Sequence, residues 1–153
     1  MSAATAVQRT SALAYTLCRA TKRRRSEQSM RGHILIVDDN PIDLRLAAEL
    51  LEVHGFKAEC AADAEEAQRL LLYVVPDLIV TDIALPGMDG LTFTRKLKAD
   101  ERLKHVPVIA LTAFAMQGDE ERAAAAGCRG YIVKPIDIRR FAEQIEEALG
   151  SQS

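Results

Sequence analysis

A chain of 153 residues, 48% hydrophobic and 27% charged, is sized for one soluble-type domain with a buried core. It has no apolar run near the roughly 20 residues that would span a bilayer. Three cysteines (Cys18, Cys60, Cys128) without a CxxC pair and three histidines (His33, His54, His105) without ligand spacing argue against a disulfide framework or zinc site, and for a cytoplasmic setting. The net charge of −2 hides an asymmetry: residues 1 to 31 hold seven Lys or Arg and one acid, leaving 13 basic and 21 acidic residues beyond, a poor balance for nucleic acid.

The basic extension, residues 1–31, is rich in Ala, Ser and Thr and carries the run Lys22 to Arg25. It is expected to be disordered, or to reflect a start codon set upstream of Met30. A basic arm for acidic lipid or nucleic acid and an organellar transit peptide share its composition. From His33 onward, short apolar runs alternate with amphipathic segments of helical length. The first strand is predicted at His33–Val37. A helix follows from Asn40-Pro41, a cap residue with proline at the first helical position, and stops near His54-Gly55. A second strand, Lys57–Ala61, leads into a helix opened by Asp63-x-x-Glu66, with Ala67, Leu70, Leu71 and Val74 on one face. The third strand, Leu78–Thr81, precedes a helix from Asp89-Gly90. The fourth, Val106–Leu111, precedes a helix that ends at Gly127. After the fifth, Gly130–Val133, a helix following Asp137 turns Ile138, Phe141, Ile145 and Leu149 to the core.

The strands are almost continuously apolar, as strands buried on both faces are. Five strand–helix repeats predict a doubly wound α/β domain over residues 32–150, with a five-stranded parallel sheet of the flavodoxin-like type, followed by a tail at 151–153. Ligands of such sheets bind at the carboxyl ends of the strands. There stand Asp38 and Asp39, Asp82, Thr112 and Lys134. Adjacent carboxylates repel unless a cation lies nearby. Oxygen donors without thiolate or imidazole suit Mg²⁺ or Mn²⁺. Lys134 and Thr112 suit phosphoryl oxygens, and Asp82 can serve as a carboxylate nucleophile. Any one of these residues alone is an ordinary turn or cap residue; their joint placement on one sheet edge is what points to phosphoryl chemistry.

The segments "ILIVDDNP", "PDLIVTDIALPGMDG", "PVIALTAFA" and "GYIVKPID" resemble the receiver domains of two-component response regulators over residues 32 to 149. The resemblance implies that Asp82 is the phosphoacceptor, served by Thr112 and Lys134. It implies a metal shell of Asp38, Asp39, Asp82 and the Ala84 backbone carbonyl, and a switch made of Thr112 and Tyr131. It further implies a cis Lys134–Pro135 peptide. A sensor histidine kinase or histidine phosphotransfer protein would be the donor. A downstream protein would be met on the face of the fourth helix, fifth strand and fifth helix. "TAFAMQGDEERAAAAGC" resembles single-domain receivers of bacterial cell-division and cell-cycle phosphorelays. The reading is of a stand-alone, cytoplasmic receiver without an output domain or direct DNA binding, not an enzyme beyond assisting its own phosphorylation and dephosphorylation. Ala84 and Phe114 offer no side-chain hydrogen bond to a hydrolytic water, so slow self-dephosphorylation is expected.

Other classes fit less well. A haloacid-dehalogenase-like phosphatase has an acid two residues past its nucleophile, where this chain has Ala84. A nucleotide-binding domain would need a glycine-rich turn where Asp38-Asp39-Asn40-Pro41 stands. A phosphorylation-independent scaffold would not need Asp39, Asp82 and Lys134 together.

Overall fold

The computed structural model describes residues 31–113 and 115–150. The readings of the extension before Arg31, of the tail at 151–153 and of Phe114 lie outside them. Ten elements alternate: β1 (His33–Val37), α1 (Pro41–Val53), β2 (Lys57–Ala61), α2 (Ala64–Leu71), β3 (Leu78–Asp82), α3 (Gly90–Ala99), β4 (Val108–Thr112), α4 (Asp119–Ala126), β5 (Gly130–Val133) and α5 (Phe141–Gly150). The five strands form one parallel sheet in the order β2-β1-β3-β4-β5. The predicted doubly wound α/β fold is therefore the observed one.

Period-two alternation divides the core. Ile34, Ile36, Val80, Leu111 and Ile132 pack beneath α1 and α5, with Leu44, Leu51, Phe141 and Ile145. Leu35, Val37, Ile79 and Val108 pack against the other face, with Leu71, Phe93 and Leu97 from α2 and α3. The caps read from sequence form. Asn40 accepts from the amides of Ile42 and Asp43, and Asp63 accepts from that of Glu66 while Glu66 reaches back to Ala62. His54 is the C-cap of α1, its Nδ1 2.8 Å from the Leu50 carbonyl oxygen. Among the described residues neither Cys60 nor Cys128 is in a disulfide.

Three boundaries differ from expectation by two residues or more, and β3 and β4 each run one residue further than expected, to Asp82 and Thr112. β4 begins at Val108, because Pro107 has no amide for the ladder; Val106 is buried just outside the strand, and the Pro107 carbonyl accepts from Ile79. α2 ends at Leu71, which leaves Val74 on the following turn. α5 begins at Phe141 and not directly after Asp137. Asp137 instead closes a tight turn, accepting from the amides of Arg139, Arg140 and Phe141. The turn breaks the helical phase, so Ile138 faces solvent at 61% exposure, and Ile136 takes the core position ahead of Phe141.

Candidate functional site

The carboxyl edge of the sheet gathers the charged residues, and the strand phase sets where each one goes. Asp38, Asp82 and Lys134 fall in step with Ile36, Val80 and Ile132, hence on the α1 side. One ligand atom from each of Asp38, Asp39 and Asp82 lies within 4.8 Å of the others. Asp38 is almost wholly buried, at 1% exposure. Its Oδ1 accepts from the Asn40 amide at 2.9 Å, a bond made possible by the turn that Asn40 and Pro41 build into α1. The Lys134 ammonium donates to Asp38 Oδ2 at 2.7 Å and to Asp82 Oδ2 at 2.6 Å. Asp82 Oδ1 accepts from the Ala84 amide at 2.8 Å.

Burial pushes the Asp38 carboxyl up to about 6, although Lys134 and the Asn40 amide pull the other way. Lys134 is also desolvated, but its bonds to the carboxylates outweigh burial and hold its ammonium charged well above the usual range. Crowded carboxylates, Asp38 and Asp82 buried and Asp39 exposed at the mouth, favour a hard dication, and the donor set contains oxygen only. Asp38, Asp39 and Asp82, with the Ala84 carbonyl nearby in the chain, are the residues that would hold one.

Thr112 and Tyr131 belong to the other side of the edge. Thr112 ends β4 opposite Val133 and its carbonyl accepts from the Lys134 amide at 2.7 Å, which seats the residue after β5 beside the acids. Tyr131 pairs with Ala110, two steps down the same face of β4 and β5. Its hydroxyl is buried and has no hydrogen-bond partner among the described residues. The Lys134–Pro135 peptide is cis, as the resemblance implies.

One site residue escaped the sequence reading. Asp43, in the first turn of α1, accepts from Lys134 at 3.0 Å. The signal was present: Asp43 stands four residues after Asp39, one helical turn on and over the same edge. Attention to strand ends alone passed over it.

The fold recurs in known proteins. Residues 34–146 match the response regulator receiver domain family. The chain is 46% identical over 121 residues to the polar-differentiation response regulator DivK of Brucella ovis, across 79% of this chain and 98% of that one. The receiver domain of a Syntrophus aciditrophicus signal transduction histidine kinase superposes with a TM-score of 0.72 at 34% identity, covering 78% of this chain and 91% of that one. The receiver domain of a Pseudomonas aeruginosa sensor histidine kinase, solved with magnesium coordinated in its active-site cleft, gives 0.71 at 34% identity, over 78% and 98%. This chain belongs to the response regulator receiver domain family. Its described residues contain no helix long and apolar enough to cross a membrane, and their ten elements are those of the receiver fold.

Proposed function

We propose that this receiver takes a phosphoryl group on Asp82 from the phosphohistidine of a sensor kinase or histidine phosphotransfer protein, in a cytoplasmic two-component or phosphorelay pathway. It then signals by protein contacts on the α4–β5–α5 face, with no catalysis beyond its own phosphorylation and dephosphorylation. The supporting observation is the convergence of Lys134 with the three carboxylates Asp38, Asp39 and Asp82 at the carboxyl edge of the sheet. Mg²⁺, or Mn²⁺, held by Asp38, Asp39, Asp82 and the Ala84 carbonyl would neutralise charge on the phosphoryl oxygens.

The residues then divide the work. An Asp82 oxygen attacks phosphorus, forming an acyl phosphate, while the N–P bond of the phosphohistidine breaks and its electron pair returns to the imidazole. Both Asp82 oxygens hold a donor in the resting site, Ala84 on Oδ1 and Lys134 on Oδ2. Attack requires Lys134 to exchange Asp82 Oδ2 for a phosphoryl oxygen. Thr112, at the end of the neighbouring strand, donates to another phosphoryl oxygen, and Tyr131 follows it on the shared face of β4 and β5. Each charge-assisted bond contributes about 1.5–3 kcal/mol, enough to bias a two-state loop.

Intact mass after incubation with Mg²⁺ and a small acyl-phosphate donor tests this reading. One added phosphoryl group is expected, absent after Asp82→Asn or with EDTA. An adduct that survives Asp82→Asn contradicts the assignment. So does the absence of any adduct combined with no beryllofluoride-induced shift at Thr112 and Tyr131.

A further inference from the structure

The Lys134 ammonium has three donors and three carboxylate acceptors: Asp38, Asp82 and Asp43. Two of the three belong to the acidic cluster, whereas Asp43 stands outside it. The lysine side chain is only 11% exposed, so water cannot readily replace a lost carboxylate. A cation held by Asp38 and Asp82, or a phosphoryl group on Asp82, would compete with Lys134 for those carboxylate oxygens. An ammonium left in that cleft beside a dication, without a counter-charge, would be repelled from the place where it is needed.

We infer that Asp43 is a positioning residue, a third carboxylate on α1 that retains Lys134 when Asp38 and Asp82 are committed to the cation and the phosphoryl group. The inference rests on the receiver reading and adds a residue to it. Asp43 suits the role through its backbone as well as its charge. Its amide is tied to Asn40, the cap that also fixes Asp38, so the three groups share one rigid turn. Its side chain is 28% exposed, against 1% for Asp38, and pairs with Lys134 from the solvent side of the cleft. Asp43 therefore contributes more to the cation-loaded site, where it is the remaining partner of Lys134, than to the empty one, where it is one of three. A residue with such a difference raises cation affinity.

The test is Mg²⁺ titration of the whole chain, followed by amide chemical shifts of Asp38, Asp39 and Asp82. Asp43→Asn is expected to weaken Mg²⁺ binding about tenfold, the loss of one charge-assisted bond in the loaded state. Asp43→Glu, which keeps the charge, is expected to recover most of that loss. In a Lys134→Ala background, Asp43→Asn should change the affinity less than about twofold, because the residue acts through the lysine. An undiminished effect in that background would mean that Asp43 is only a nearby negative charge, and the inference would fall. It would fall equally if Asp43→Asn left the affinity of the otherwise native chain unchanged. If the native chain bound no Mg²⁺ and accepted no phosphoryl group, the receiver reading itself would be lost, an outcome separate from the other two.

Discussion

α1 and α4 flank the same site but are built to different standards. α1 runs for 13 residues, opens on Asn40 with two side-chain caps and a proline, and buries Leu44, Ala47, Ala48 and Leu51. α4 runs for 8, opens on Gly118 in the left-handed region with no side-chain cap, and its buried apolar residues are Ala123 and Ala126. Large apolar side chains anchor the first, and single methyl groups anchor the second. The carboxylates Asp38, Asp39, Asp43 and Asp82 sit on or beside the well-anchored half, β1, α1 and β3. Thr112 and Tyr131 sit on β4 and β5, next to the lightly anchored helix. The acidic cluster is thus held where local opening is costly, whereas Thr112 and Tyr131 stand beside the helix where it is cheaper.

The sharpest way to break this contrast is at the β3–α3 turn, on the rigid half. A Cβ on Gly90 would lie 2.0 Å from the Asp82 carbonyl oxygen, a backbone atom that cannot turn aside. Gly90→Ala is expected to destabilise the fold by about 4 kcal/mol or more and to displace Asp82. Chemical denaturation measures the first, and the acyl-phosphate mass assay the second. A mild effect would mean that β3 and its turn yield more readily than the packing implies. Next in size, Leu51→Ala on α1 should cost about 3 kcal/mol of global stability, against about 1 kcal/mol for Ala123→Gly on α4. Equal losses would erase the distinction between the helices.

The rigid half has a cost of its own, visible in its pH dependence. Burial raises the Asp38 carboxyl from 3.8 to about 6, so the folded state binds that proton more tightly than the unfolded chain does. Stability without a dication is then highest with Asp38 protonated. It falls as pH rises from the unfolded value through the folded one, and stays level above. The loss is on the order of 3 kcal/mol. Asp38→Asn should therefore be more stable than the native apoprotein near neutral pH, and lose that advantage below about pH 4. Denaturation curves at both pH values check it, and the same advantage at low pH would point to a cause other than the buried charge. Mg²⁺ should narrow the gap at neutral pH by stabilising the native carboxylate.

Much of this division could be read from the residues. Apolar strands, the Asn40-Pro41 cap and the Asp63/Glu66 pair fixed element types because local chemistry and tertiary demand agreed there. The five edge residues were legible because strand ends converge in any sheet of this topology. Ile138 was misplaced because a turn of three residues resets helical phase, and the apolar pattern alone does not record a turn. Asp43 was missed because its role depends on where the lysine tip lies, 91 residues away, and side-chain reach is a three-dimensional quantity.

The finest test of the contrast compares two caps of similar intrinsic worth. Asn40→Ala removes the side-chain acceptor for Ile42 and Asp43, a loss of about 1 kcal/mol. Gly118→Ala puts a Cβ into open space, so its cost is the φ of +90° alone, also about 1 kcal/mol. If the two helices were equally coupled to the core, both would lower global stability alike. Because α4 is held by so little apolar surface, it can open without the rest of the sheet, and its penalty should appear there. Amide hydrogen exchange is then expected to quicken across α4 in Gly118→Ala with the global unfolding free energy falling by less than about 0.5 kcal/mol, while Asn40→Ala shifts the global value by its full amount. The reverse pattern would place the mobile element of this receiver on the α1 side, against the distribution of its buried side chains.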